Sequence, residues 1–444
     1  MRRKERKMRY AVVGGSAAAV SAVEAIRSVD RLSPIDVFSD EKTPLFSRVL
    51  LPYYVAEELS KPLLNFRSAD FFEENNITPH MGTRVQEIFS DSKTLVTEDG
   101  ENYEFDKLLL ATGGNAIIPK IPGVDKEGIS ALKTMQDAEK IYRFKGERAV
   151  VVGAGSIGVE SCISLMRRGV RVTLLEQLGH VLPTVFDDEA ATIIRGVIEQ
   201  MGIEVITGER AVEFTGNGHV QSVVTSMGEI ECDNVILSVG IRPAVELAEK
   251  AGIEIGMMGG IRTDGNMMTS LRDIYAAGDV CETFDIARNT PFINAIWPMA
   301  VEQGRIAGLN MAGRDTPYAG SVRMNSIGNF IGIPAMSMGV TRSEECSYAD
   351  EDCHFQEIKR RTRNTYKKLI LKNGCIVGAI FIGVGQTQRS GLISVLLRRQ
   401  IDVSDYVSVL MSNNLNFMDI LPLLRRNGDK FTEPEYKELM DTGL

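Results

Sequence analysis

A chain of 444 residues, 44% hydrophobic and 25% charged, has the composition of an ordinary globular protein and the length for two or three domains with ample core. Its net charge of −9, with 16 Lys+Arg nearly matched by 14 Asp+Glu even in the most basic stretch from Gly320 to Leu444, argues against a broad basic face for nucleic acid. No apolar run reaches the roughly 20 residues of a membrane helix, and no long apolar stretch follows the six basic residues of Met1–Arg9, so a cytoplasmic protein is expected, with that tail a solvated extension of the first strand. The six cysteines (162, 232, 281, 346, 353 and 375) form no C-x-x-C pair and the four histidines do not cluster, which leaves no metal site and no redox dithiol in view.

In chain order, Arg9–Val13 is an apolar strand. It runs into the turn Gly14-Gly15-Ser16-Ala17-Ala18-Ala19, a helix through Val29 and a strand Ile35–Phe38 that ends in Ser39-Asp40-Glu41. Phe66–Asn75 reads as helix, Ser92–Tyr103 as a β-meander turning at Asp99-Gly100, and Lys107 to Gly114 as an apolar strand ending in small residues. The plan then repeats. Ala149–Val152 is a strand, Gly153-Ala154-Gly155-Ser156-Ile157-Gly158 leads to a helix starting near Val159-Glu160, and the strand Val170–Leu175 ends in Glu176. In such a unit the first glycine permits the tight turn and the second lets backbone approach a pyrophosphate. The third lets helix and strand pack closely, and an acid such as Glu176, 23 residues after Gly153, accepts hydrogen bonds from a ribose. Leu182–Met201 reads as the next helix, Ile203–Ile206 as a strand, and Val235 to Gly240 as the counterpart of the Ala111-Thr112-Gly113 strand end.

Asp273 to Asp279 is a short strand ending in Gly-Asp, followed by a helix Pro298–Met311 and a polar linker Gly313–Tyr318. The last third alternates strands (Leu369–Leu371, Ile376–Ile382) with turns and ends in helical segments at Leu392–Arg399 and Val403–Met411. The expected fold class is α/β: two Rossmann-like dinucleotide-binding domains plus a C-terminal α+β domain. The expected domains are 8–140 and a return segment 263–318 for the first nucleotide, 141–262 for the second, and 319–444 for dimerisation or a partner. Two dinucleotides on one chain point to electron exchange between them.

The ordered set of fingerprint, Ala111-Thr112-Gly113, second fingerprint, Val239-Gly240-Ile241-Arg242-Pro243 and Ala276-Ala277-Gly278-Asp279 resembles the pyridine nucleotide–disulphide oxidoreductase superfamily over nearly the whole chain. The resemblance implies FAD in the first site and NADH in the second. It places the FAD pyrophosphate over Gly14, Gly15 and Ala18, with Ser16 either a phosphate ligand or the cause of a shifted turn. Asp40, ahead of Glu41, is to hold the adenosine ribose, and Asp279 the ribityl chain or pyrophosphate. Arg48, Val85, Thr112, Gly113 and Trp297 join the flavin site, and the helix at Pro298 aims its dipole at the flavin pyrimidine. For NADH the resemblance implies Gly153, Gly155, Ser156, Ile157, Gly158 and Gly240. Glu160 reaches toward the nicotinamide as the catalytic nominee. Glu176 is to favour NADH over NADPH by repelling a 2′-phosphate.

The segment Leu45–Tyr54 departs from the disulphide reductases of that superfamily, since it holds no cysteine and Val49 stands where single-cysteine relatives have theirs. Tyr53 stands where some carrier reductases have a lysine. The segment, with Trp297 and Asn325-Ser326, is similar to NADH-dependent reductases of iron–sulfur or rubredoxin-type carriers and to flavin portions of redox complexes. The implied function is an NADH:acceptor oxidoreductase passing electrons through FAD to such a carrier or iron–sulfur enzyme complex, as a homodimer or a subunit. NADH oxidation by dioxygen and a non-catalytic NADH-responsive role are the alternatives. The basic residues Lys359, Arg360, Arg361, Arg363, Lys367 and Lys368 form a candidate docking patch.

Overall fold

The computed structural model describes residues 7–442 apart from 44, 347–353 and 388–389; the first six residues of the basic tail and Cys353 lie outside them. Tyr10–Val13 sits at the centre of a five-stranded parallel sheet, flanked by Lys107–Leu110 and Ile35–Ser39, with Ile274–Ala276 and Ile77–Met81 at the edges. A second five-stranded parallel sheet repeats the plan around Arg148–Val152, between Arg171–Glu176 and Asn234–Leu237, with Glu204–Thr207 and Ile129–Ala131 outside. The central strands are unbroken aliphatic runs because helices cover both faces of such sheets. Each unit also carries a three-stranded antiparallel meander, Val85–Phe89 with Thr94–Thr97 and Asn102–Glu104 in the first, Ala211–Thr215 with Ser222–Thr225 and Glu229–Glu231 in the second. The repeat read from the sequence pattern is therefore real in three dimensions.

The chain then returns to the first sheet. Ile274–Ala276 completes its sheet, and the helix Trp297–Met311 lies against the helix Ala17–Val29. Gly304 and Gly308, four apart and so on one helix face, make this contact close. A Cβ at either would meet the carbonyl oxygen of Ala18 at 2.2 Å or of Ala22 at 2.3 Å. The last third is a five-stranded antiparallel sheet in the order Met324–Ser326, Ala335–Gly339, Cys375–Ile382, Tyr366–Lys372, Phe355–Arg361, with helices such as Ser390–Arg398 packed on it.

Several sequence expectations are corrected. Only Phe71–Glu74 is helical within Phe66–Asn75. The helix expected from Leu182 begins at Asp188: Leu182 takes φ +53°, and the Asp187 carboxylate accepts from Ala190 N. The second fingerprint helix starts earlier, at Ser156. Val403–Met411 contains only the short turns Ser404–Tyr406 and Val407–Leu410.

The basic run does not form one face. Lys367 and Lys368 are adjacent on a covered strand and both buried, one donating to Ser412 O at 2.9 Å, the other to Asp187 Oδ2 at 3.0 Å. Burial, with Arg360 nearby, lowers the Lys367 pKa to about 8. Lys359 and Arg361 pair with Glu189. Strand alternation and interdomain ion pairing disperse the charge.

Candidate active site

A single cavity of about 920 Å³ joins the two fingerprints, near the top of the roughly 300–1,000 Å³ range of ligand pockets. The two turns follow the same pattern of conformations. Gly14 and Gly153 take φ +130° and +101°, and a side chain at either would strike the neighbouring strand end, at Ala111 O (2.2 Å) or Ser238 O (2.4 Å). Ser16 and Gly155 are then the extended residues immediately before each helix. Ser16 therefore does not displace the turn; it occupies the place of the second fingerprint glycine, and its hydroxyl makes no capping bond. Gly158 is the close-packing glycine, since a Cβ there would lie 1.9 Å from Gly153 O.

Three long helices begin at this cavity without a side-chain cap: Ala17–Val29, Ser156–Arg167 and Trp297–Met311. Helices beginning elsewhere, at Met135, Asp188 and Phe417, are capped by Thr134, Asp187 and Asn416. The uncapped helices leave their first N–H groups and positive dipole ends facing the cavity, which is the environment a pyrophosphate or a reduced flavin ring requires.

Most of the expected site residues line this space. From the first unit come Gly14, Gly15, Ser16, Ala18, Asp40, Arg48, Val85, Thr112 and Gly113; from the second, Gly155, Ser156, Ile157, Glu160 and Gly240; from the return segment, Asp279 and Trp297. Thr112 also ties the units together, its hydroxyl donating to Ala244 O at 2.8 Å beside the antiparallel pair Gly114–Ala116 and Ile241–Pro243. Gln303 accepts from Gly278 N at 2.8 Å and so fixes the turn that presents Asp279. Trp297 stands edge-on to Phe66 with ring centroids 5.0 Å apart.

Four expected residues do not line the cavity. Gly153 and Gly158 act inside the turn. Glu41 is turned onto the Arg48 guanidinium, burial raising its pKa against the pull of that arginine, which leaves Asp40 as the cavity-facing acid. Glu176 is 6% exposed, and its carboxylate accepts from Ala154 N at 2.7 Å and Leu178 N at 2.8 Å, bracing the second turn from behind.

Glu160 is the perturbed acid of the site. Burial raises its pKa from 4.5 to about 7, with no cation beside it. Tyr53 packs on Phe330 with centroids 4.5 Å apart, and burial together with the Glu160 charge raises its pKa. Val49 is 51% exposed and lines the cavity. None of the described cysteines lines it, and four of those five are buried.

Sequence reasoning missed two half-buried cavity cations besides the exposed Arg84 and Lys250. Lys133 reaches Asp279 Oδ2 at 3.4 Å, and Arg323 comes from the start of the last third. Neither belongs to a local pattern that a fingerprint scan detects.

The residues fit two dinucleotides: glycine turns a Cβ would fill, open helix N-termini, and at Arg48 a buried Nε without a hydrogen-bond partner. A two-nucleotide redox protein is the class this arrangement defines. The chain belongs to the pyridine nucleotide-disulphide oxidoreductase family, whose model matches residues 8–304, and residues 326–401 match the C-terminal domain of rubredoxin NAD⁺ reductase. FAD and NAD(P)H are the cofactors of that family.

The chain is 30% identical over 412 residues to the epsilon subunit of NADH-dependent phenylglyoxylate dehydrogenase of Aromatoleum evansii, covering 92% of this chain and 95% of that one. It is 31% identical over 320 residues to the rubredoxin-NAD⁺ reductase of Ectopseudomonas oleovorans, covering 70% and 81%. The solved structure of an NAD-dependent persulfide reductase from A. fulgidus matches with a TM-score of 0.84 at 29% identity, over 95% of this chain and 84% of that one. Among the described residues no helix is long and apolar enough to cross a membrane, and no group of three metal-ligating side chains occurs.

Proposed function

We propose that the protein takes electrons from NADH and passes them through FAD, one at a time, to an iron–sulfur or rubredoxin-type protein, acting as an electron-entry subunit or in a homodimer. The observation that carries this reading is the continuous cavity between the two fingerprints with Val49 in place of a thiol. Without a cysteine beside the flavin, neither dithiol exchange nor a sulfenate cycle operates there, so electrons leave the flavin directly. The likeness to a subunit of an NADH-dependent dehydrogenase and to a rubredoxin reductase supports a protein acceptor. Free, mostly buried cysteines support a cytoplasmic setting.

FAD, when bound, supplies the passage from two-electron to one-electron chemistry. The chain supplies the rest. Gly14, Gly15 and the start of the helix at Ala17 receive one pyrophosphate, and Gly155 and Ser156 the other. Asp40 takes the ribose of the first nucleotide, and Asp279, held by Lys133 and Gln303, its sugar chain. Glu160 stands at the meeting of the two sites, where its carboxyl holds a proton at acid pH and favours positive charge above about pH 7. Leu51, Pro52 and Leu132 exclude water from the wall beside Val49. The buried Glu176 charge, behind the second turn, disfavours the 2′-phosphate of NADPH.

Mixing the NADH-reduced protein anaerobically with ferredoxins and rubredoxins tests the reading. Carrier reduction is expected to outpace reaction with dioxygen, and a dioxygen rate faster than every carrier rate would replace it by an NADH oxidase. Reductive titration is expected to consume two electrons per FAD; uptake of four would mean a redox centre that Val49 excludes.

A further inference from the structure

Three cations line the cavity without being largely exposed: Arg48, Lys133 and Arg323. The first two have carboxylate partners, Glu41 and Asp279. Arg323 has none. Among the described residues its guanidinium makes no hydrogen bond and no ion pair, and the charges it feels are the more distant Arg288, Glu345 and Asp285.

Both acids already have other partners. Asp285 Oδ1 accepts from Arg288 N at 2.8 Å and Oδ2 from Asn294 Nδ2 at 2.6 Å. Glu345 Oε1 accepts from the Thr341 hydroxyl at 2.7 Å and backbone N at 2.9 Å, and its Oε2 takes the Arg288 guanidinium. Burial, with Arg288 adding to it, holds the Arg323 pKa below the ordinary guanidinium value. A half-buried cation with five N–H donors and no protein acceptor is free to pair with an anion in the cavity.

The composition of the cavity narrows which anion. Arg323 precedes the strand Met324–Ser326 and lines the same cavity as Trp297 and Pro298. Trp297 and Pro298 open the uncapped helix Trp297–Met311, so this cavity receives an unpaired guanidinium as well as that positive helix end. The dinucleotide phosphates are served elsewhere, at the helices starting at Ala17 and Ser156. Hydride transfer from NADH leaves NAD⁺ and a flavin that has gained one negative charge and no separate proton, shared over the N1–C2=O edge of its pyrimidine half.

We propose that Arg323 is the counter-ion for that charge and makes the protein hold reduced FAD more tightly than oxidised FAD. The assignment rests on the reading of the cavity as the flavin site. It gives this chain a control on electron release: a flavin stabilised as its anion retains its electrons until an acceptor of sufficient potential arrives.

The test is the two-electron midpoint potential of the bound flavin, by anaerobic dye equilibration of the holoprotein, in wild type, R323Q, R323M and R323K. R323Q and R323M are expected to bind oxidised FAD within about twofold of wild type and reduced FAD at least about tenfold more weakly, which lowers the midpoint by about 30 mV for a two-electron couple. R323K, which restores the charge, is expected to recover most of that shift. The absorption spectrum of the reduced protein is expected to report the anionic form in wild type and a larger neutral fraction at pH 7 in R323Q. R323M is the apolar replacement of similar length, in case R323Q does not retain FAD. FAD-loaded R323Q or R323M with a wild-type potential would overturn the assignment while leaving the flavin site standing. Wild-type protein that binds no FAD would overturn both.

Discussion

The two fingerprint turns share a positive-φ first glycine and are held by partly different physics. The first is set by steric contact. Its helix is pinned from behind by Gly304 and Gly308, whose missing side chains let one helix backbone rest on another, and its turn glycine nests against Ala111. The second has the same steric fit at Gly153 and Gly158 and adds polar bonds: the Glu176 carboxylate braces Ala154 N, and the Ser238 hydroxyl donates to Gly153 O at 2.9 Å. One loop answers to helix packing and the other also to a buried charge, and each difference gives a way to break the comparison.

The largest effect is expected from Gly304→Val. Its Cβ alone would sit 2.2 Å from Ala18 O, and backbone cannot yield as a flexible side chain does. Overpacking of this kind costs about 3 kcal/mol or more. Denaturant unfolding is expected to show that loss together with loss of FAD, and retention of both would mean that the helices are not in backbone contact.

Glu160→Gln follows. A carboxyl whose folded pKa is raised from 4.5 to about 7 contributes nothing adverse below pH 4.5 and destabilises progressively as pH rises through 7. Removing the charge is therefore expected to stabilise the cofactor-free protein by up to about 3 kcal/mol at pH 8 and by nothing at pH 4. Parallel melting curves across that range for wild type and variant would refute the buried acid.

Glu176→Ala sharpens the contrast at the second turn. It strands the Ala154 and Leu178 N–H groups at about 1–3 kcal/mol. The expected result is a higher KM for NADH, a weaker preference over NADPH, and unchanged FAD content. Asp279→Ala is its mirror, lowering FAD retention while leaving the second sheet folded; FAD loss in Glu176→Ala would dissolve the distinction.

The smallest effect is expected from charge reversal at Arg360 and Arg363. With Lys367 and Lys368 buried and Lys359 and Arg361 paired to Glu189, little of the basic run remains for a partner. Carrier reduction should change less than about twofold at 0.15 M salt, where the Debye length is about 8 Å. A larger fall would restore the patch as a docking surface.

The parts visible in the sequence were those where local chemistry is sufficient. A glycine turn between an aliphatic strand and a helix specifies a βαβ unit without help from the rest of the chain, and both units appear where the pattern puts them. Interactions between distant segments left no such mark. Helix periodicity alone could not reveal that Asp187, held also by Lys368 and Tyr366 from the last third, starts the helix that Leu182 appeared to begin. Phe66–Asn75 has helical composition but spends its aromatic residues on Trp297 and the first core. Glu176 follows the fingerprint spacing faithfully, yet its direction, onto backbone, depends on the fold of a loop. Arg323 and Lys133 meet the cavity from segments about 190 residues apart.

The interleaving of the units bears on how the chain is made. Ile129–Ala131, synthesised before the second fingerprint, is an edge strand of the second sheet, and Ile274–Ala276, synthesised after that sheet, is an edge strand of the first. On the ribosome the second unit therefore has all its strands while the first still presents Lys107–Leu110 as an open edge, some 160 residues after that strand emerged. The half that begins the chain is the half that must wait. A stalled or truncated product ending near residue 262 would carry one finished sheet and one sheet with an unpaired edge.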